Sequence, residues 1–261
     1  MTKYHISADG NPRVCTAAES NCPIGGNEAH YTSREAARAA FEESVKVPAS
    51  TAKKNRFGES VRTVTAWGNV EWRNSKGQLH RDGDLPAIEC PNGTKYWYQN
   101  GKRHRDGDLP AYEASDGSKW WIKNDQLHRD GDQPAYESPT GSKEWWVDGQ
   151  RHRDGDLPAV ENADGTKAWY QNGKRHRNGD RPAAEWPNGT KWWYQNGKRH
   201  RDNDLPAVEH PDGSKTWYQN NRLHRDGDLP AVEWKNGTKE WWVNDKFQYR
   251  ILPDGTRTEE L

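Results

Sequence analysis

Oily material is scarce in this chain. Only 31% of its 261 residues are apolar, with three Phe and one Met among them, where an average globular domain carries roughly 45–50%. That shortage excludes a thick aliphatic core. No run of about 18 apolar residues occurs, and residues 1–30 hold no apolar stretch behind a basic start, so neither a membrane-spanning helix nor a secretory signal is read here. An excess of one charge is missing too. The 39 Lys and Arg balance 39 Asp and Glu, which argues against nonspecific attachment to a phosphate backbone. Ten His would turn the protein cationic only below about pH 6.5. What is abundant is aromatic: 15 Trp and 10 Tyr are too many for a disordered polyampholyte, whose composition lacks the apolar area to offset chain entropy. The expected packing is thin and made of rings.

The rings fall on a fixed period. His80, His104, His128, His152, His176, His200 and His224 stand 24 residues apart, each followed by Arg and, six and seven positions on, by Pro-Ala. Seven contiguous copies define a repeat architecture before any secondary structure is considered. Asn92-Gly93 and its equivalents fit a three-residue hairpin loop ending in a left-handed Gly. That loop sets Glu89 against Lys95, Ile88 against Tyr96 and Ala87 against Trp97. Asn100-Gly101 and its equivalents fit a second, two-residue turn, setting Gln99 against Lys102 and Trp97 against His104. The fold class expected is mostly β: an elongated, single-layer antiparallel β-hairpin stack of seven 24-residue units, about 14 strands and roughly 65 Å of sheet. Residue pairs such as Trp97-Tyr98 put large side chains on both faces of it. At the junction, Arg is expected to pair with Asp and His to stack on Trp.

The ends differ from the middle. Trp72 precedes His80 by eight residues where the repeat has seven, predicting a one-residue bulge near Ser75 in an upstream cap. Gln248 stands where another His is due, and Phe247, Tyr249 and Ile251 alternate as a closing edge strand before a polar tail. Residues 1–46 lack the period and form a separate module. Thr32-Ser33-Arg34-Glu35 ahead of an Ala-rich run predicts a helix over 33–45. Residues 47–60 read as a flexible tether and 61–261 as the stack with its caps.

The unit at residues 97–111, Trp-Tyr-Gln-Asn-Gly-Lys-Arg-His-Arg-Asp-Gly-Asp-Leu-Pro-Ala, resembles degenerate relatives of membrane occupation and recognition nexus (MORN) repeats over roughly residues 67–250. That family has a His-Gly-X-Gly-like junction where this chain has His-Arg-Asp-Gly-Asp-Leu-Pro. The resemblance implies a hairpin stack acting as scaffold or binding surface, with no catalytic residues to carry over. The opening, with Lys3-Tyr4-His5-Ile6, Cys15, Asn21-Cys22-Pro23, Gly25-Gly26 and His30-Tyr31, resembles a leader module on varied proteins of actinobacterial phages and prophages. This implies an accessory protein, cytoplasmic in a bacterial host or associated with a virion.

Three sets of residues are candidates for chemistry. His5, Cys15, Cys22 and His30 could form a tetrahedral zinc site that stabilises a small module; a turn with a free Cys and a Cys15–Cys22 disulfide are the alternatives. Asp82-Gly83-Asp84 and its equivalents could hold Ca²⁺, against the simpler reading of an ion-paired junction. His-Arg-Asp is not read as a kinase catalytic loop, because it occurs between strands, in several copies, without a nucleotide loop. Tyr96, Trp120, Trp186, Trp192 and Trp234 are large where other copies carry Glu144, Ala168, Thr216, Ala114 or Asn162. The repeat does not require them, so they are candidate partner contacts. Taken together, the chain reads as a non-catalytic repeat scaffold that binds a macromolecule, most simply a protein. The alternative is a carbohydrate- or small-ligand-binding stack using those aromatics.

Overall fold

The computed structural model describes residues 60–259 and two short paired strands, Tyr4–Ile6 and Pro12–Val14. The helix expected over 33–45 and the tether residues 47–59 lie outside the described residues. Among the described residues there is no helix, and 18 strands form one antiparallel sheet. Its registers run from Val61–Val64 at one end to Arg257–Thr258 at the other, and each of these pairs with one neighbour, Val70–Arg73 and Lys246–Ile251 respectively. The sheet is therefore an open ribbon, about 80 Å long before twist at about 4.8 Å per strand.

Turn chemistry builds each unit. Ile88–Glu89 and Lys95–Tyr96 pair as Ile88↔Tyr96 and Glu89↔Lys95, the predicted register. The Pro91-Asn92-Gly93 loop closes with the Cys90 N–H donating to the Thr94 carbonyl at 2.9 Å and Gly93 at φ +90°. That backbone angle is open to Gly and strained for most side chains. The next unit adds directly, Lys95↔Glu113 and Tyr96↔Tyr112, so the hairpins fuse into a continuous ribbon.

Trp97 then breaks what the sequence suggested was a single strand. Its N–H donates to the Ala111 carbonyl of the following unit at 2.8 Å, while its own carbonyl accepts from the His104 N–H at 3.1 Å. The chain thereby changes partners at Trp97 and leaves the main sheet. Tyr98–Gln99 and Lys102–Arg103 pair as a separate two-stranded ribbon, in the predicted register Gln99↔Lys102, across a turn with Asn100 at φ +50° and Gly101 at +85°. Six such side ribbons occur among the described residues. Each turn donates a backbone N–H to a carbonyl of the unit before it, as Gly101 does to Leu79 at 2.8 Å. Each full unit thus has four short strands where two longer ones were expected. The opposition of Ala87 and Trp97 is corrected as well: the carbonyl of Ala87 accepts from the Trp72 N–H, one unit earlier.

The caps are longer than expected. At the front, Val61–Val64 adds a strand ahead of Trp72, and the extra residue near Ser75 sits in a three-residue loop, with Asn74 N–H donating to Gln78 O and Gly77 at φ +77°. At the rear, Lys246–Ile251 is not the edge. It pairs on one side with Lys239–Val243 through a bulge at Trp241/Trp242 and on the other with Arg257–Thr258.

The core is a line, not a ball. In each unit the Ala after Pro is 0% exposed, and the repeat Trp from Trp97 to Trp217 are 5–7% exposed, while no large side chain among the described residues is completely enclosed. Burying one indole removes up to about 200 Å² from water, an upper-bound contribution near 5 kcal/mol. Trp97, Ala111 and Ile122 make one such cluster, with Ile122 reaching it from the next side ribbon. Since each cluster draws on two units, a lone unit could not make it.

Candidate functional site

The junction loop explains how the units are locked. Arg105 lies over the Trp97 ring, 4.0 Å from its centroid, and the same contact recurs from Arg81 on Trp72 to Arg225 on Trp217 at 3.5–4.0 Å. The expected stacking of His on Trp is thus taken by Arg, whose flat guanidinium covers the ring while its edge keeps five donors free. Arg105 Nε and Nη2 donate to both carboxylate oxygens of Asp84, in the unit before, at 2.7 and 2.9 Å. Its Nη1 donates to the Pro110 carbonyl at 3.2 Å and to Glu113 at 3.4 Å. The Trp97 indole N–H donates to the Asp84 carbonyl at 3.2 Å. Asp84 holds φ +55° and Gly83 +75°, a tight left-handed bend. Hydrogen bonding to its Arg keeps each of Asp84, Asp108, Asp132, Asp156 and Asp204 below the usual carboxylate range.

His serves the same lock from its other side. His104 Nε2 pairs with Asp106 Oδ1 at 3.0 Å, and its Nδ1 accepts from the Asn124 backbone N–H at 3.3 Å, so the proton belongs on Nε2. Where a bend carries two Asp they therefore face different partners, as Asp82 to His80 and Asp84 to Arg105. Among the described residues no group of three His, Cys, Asp or Glu converges on a cation position. His5 lies on the strand Tyr4–Ile6, while Cys15, Cys22 and His30 lie outside the described residues.

Between successive junctions the surface opens into clefts of about 310–480 Å³. Each is walled by the bend of one unit and by the repeat Trp and its neighbour from the next, as with Asp108, Leu109, Trp121 and Ile122. The Leu at the bend stays exposed at Leu85, Leu109, Leu157, Leu205 and Leu229. Two clefts depart from the pattern: one carries Gln133 for the bend Leu, and another carries Asn178 for Asp and Arg181 for Leu, with the Trp193 indole N–H in its wall lacking a partner among the described residues.

None of the five variable aromatics lines one of these clefts. Tyr96 stacks on Tyr112 at 4.5 Å, and Trp120 sits between Tyr112 at 4.4 Å and Tyr136 at 4.9 Å, a four-ring ladder across one face of the sheet. Burial, aided by the Tyr112 hydroxyl, pushes the Tyr96 phenol up to about 12. Trp186 packs on Trp192 at 5.0 Å. Trp234 stands apart, 47% exposed, with its indole N–H on Glu240 at 3.2 Å. Sequence reasoning brought these positions forward and missed the clefts. A signal was present, since the His-Arg-Asp-Gly-Asp bend carries two Asp beside a single Arg, which leaves one carboxylate over. No helix among the described residues is long and apolar enough to cross a membrane. No family model matches the chain, and no curated protein matches it in sequence.

Proposed function

We propose that the stack is a non-catalytic scaffold that holds a macromolecular partner along the boundary clefts, within an accessory protein of the phage or prophage kind that the opening residues resemble. The observation that carries this is recurrence: nearly the same cleft, with an exposed Leu beside spare polar groups, stands at successive unit boundaries. Weak sites repeated along one rigid frame gain by acting on one ligand chain. The test is the full chain on arrays of peptides, glycans and nucleic acids, beside a Leu109→Ser/Leu157→Ser variant. Binding to one class that disappears in the variant, with an unchanged circular dichroism spectrum, is expected. Binding that survives the substitutions overturns the reading.

A second reading, sugar binding through Trp120, Trp186, Trp192 and Trp234, is favoured by the exposure of Trp234. A glycan signal lost in Trp234→Ala but kept in the Leu variant would replace the first. For the N-terminal module, the donor set His5, Cys15, Cys22 and His30 suits one zinc ion, and stoichiometric zinc in the purified full chain is the expected result.

A further inference from the structure

We infer that the groove running from His80 to Leu157 takes an extended cationic peptide, with a basic residue at about every third position and apolar residues between. This names the partner of the clefts and rests on reading them as the binding surface. Three clefts are continuous there: His104, Arg105 and Asp106 wall the first and second, and His128 to Gly131 wall the second and third.

Charge accounting selects the partner. Arg105, Arg129 and Arg153 are each tied to an Asp of the unit before, Asp84, Asp108 and Asp132, and Arg81 to Glu89. Their charges are used up inside the stack. The carboxylates left over are those of Asp82, Asp106, Asp130 and Asp154, whose side chains are 66–97% exposed. Each is held by the adjacent His Nε2 at 2.9–3.1 Å, and Asp106 also by Gln99 at 2.7 Å, so they are fixed as a row and not free to scatter. Lys123 adds a cation to the row, 3.7 Å from Asp130. A polyanion meets repulsion here.

Spacing and apolarity select the form. One unit contributes two main-sheet strands, about 9.6 Å along the stack before twist, and an extended chain covers that distance in about three residues. Leu85, Leu109 and Leu157 lie exposed beside the carboxylates, with Gln133 at the one equivalent position between them, which suits a peptide with mostly apolar side chains between its charges over a bare polyamine.

The chain supplies its own control. Asn178 occupies the Asp position in one unit and keeps the His contact, at 2.8 Å from His176, so Asn is compatible with the fold. The experiment measures anisotropy of a labelled peptide of about twelve residues, Lys at every third position with Leu and Ser between, on the full chain. Saturable binding that weakens with salt is expected. The Asp82→Asn/Asp106→Asn/Asp130→Asn/Asp154→Asn variant should bind about tenfold more weakly, and Lys123→Gln, the residue found in most other units, about two- to threefold more tightly. The inference is overturned by no binding, by equal binding of the Glu counterpart or of a peptide with its lysines blocked together, by equal competition from a charge-matched polyamine, or by indifference to the Asn variant. If a different ligand class is nevertheless lost in the Leu109→Ser/Leu157→Ser chain, the clefts stand as the site and only the peptide assignment fails.

Discussion

The junction between units and the face of the main sheet follow the same 24-residue period, yet they admit very different amounts of change. The Arg at the junction covers a Trp, grips an Asp of the previous unit with two donors and satisfies a carbonyl and a Glu of its own. No other side chain presents a flat apolar surface and a fork of donors together, so every copy carries Arg there. The sheet face asks only that neighbours across strands fit one another. It reads Tyr96, Tyr112, Trp120 and Tyr136 in one stretch, then Val160, Ala168 and Ala184 in the next. Recurrence marks positions where several requirements meet in one side chain, and variation marks positions where only one does.

The contrast can be broken most directly by comparing rings. Trp145→Ala, at 6% exposure and under Arg153, should cost about 3–5 kcal/mol, read as the midpoint of chemical unfolding. Trp120→Ala, half-buried in the sheet-face ladder, should cost clearly less, about 1–2 kcal/mol. Equal losses would end the distinction.

Acid strikes several junctions at once. The folded state holds Asp84, Asp108, Asp132, Asp156 and Asp204 below their ordinary value. Their contribution is therefore in force above the unfolded value near 3.9 and is lost as pH falls through the lower folded values. A thermal midpoint that is steady from pH 7 to about pH 5 and drops below about pH 4 is expected. Stability unchanged at about pH 3 would show that the ties contribute nothing.

Smaller changes sharpen the comparison. Arg153→Lys keeps the charge but loses the two-donor grip on Asp132 and the ring contact, and should cost about 1–2 kcal/mol. Asn178→Asp restores the common residue at a position whose side chain bonds His176, Arg181 reaching only its backbone carbonyl, and should leave stability within about 0.5 kcal/mol. A large effect there would move that position into the lock.

Much of this was legible in the amino acids. Gly93 and Asn100-Gly101 announced their turns because their φ values are hard for other residues to adopt, and with the turns came the registers Glu89↔Lys95 and Gln99↔Lys102. The partner of Trp97 was not legible. Local spacing placed Ala87 opposite it, but a backbone N–H can pair forward or backward, and only the neighbouring unit's arrival at Ala111 settles which. Arg in place of His on the Trp ring was hidden for the same reason, since the Asp that fixes the guanidinium lies 21 positions earlier in another unit. The clefts were out of reach because a concave surface exists only between two units.

The composition and the period by themselves determined that rings would carry the packing, that the chain would repeat hairpins, and where each would turn, because these depend on side-chain volume and on φ within a few residues. The tertiary structure alone decided which unit each Trp, Arg and Asp would serve. Those contacts cross a unit boundary, and every equivalent residue along the chain is an equally good local candidate until stacking removes all but one.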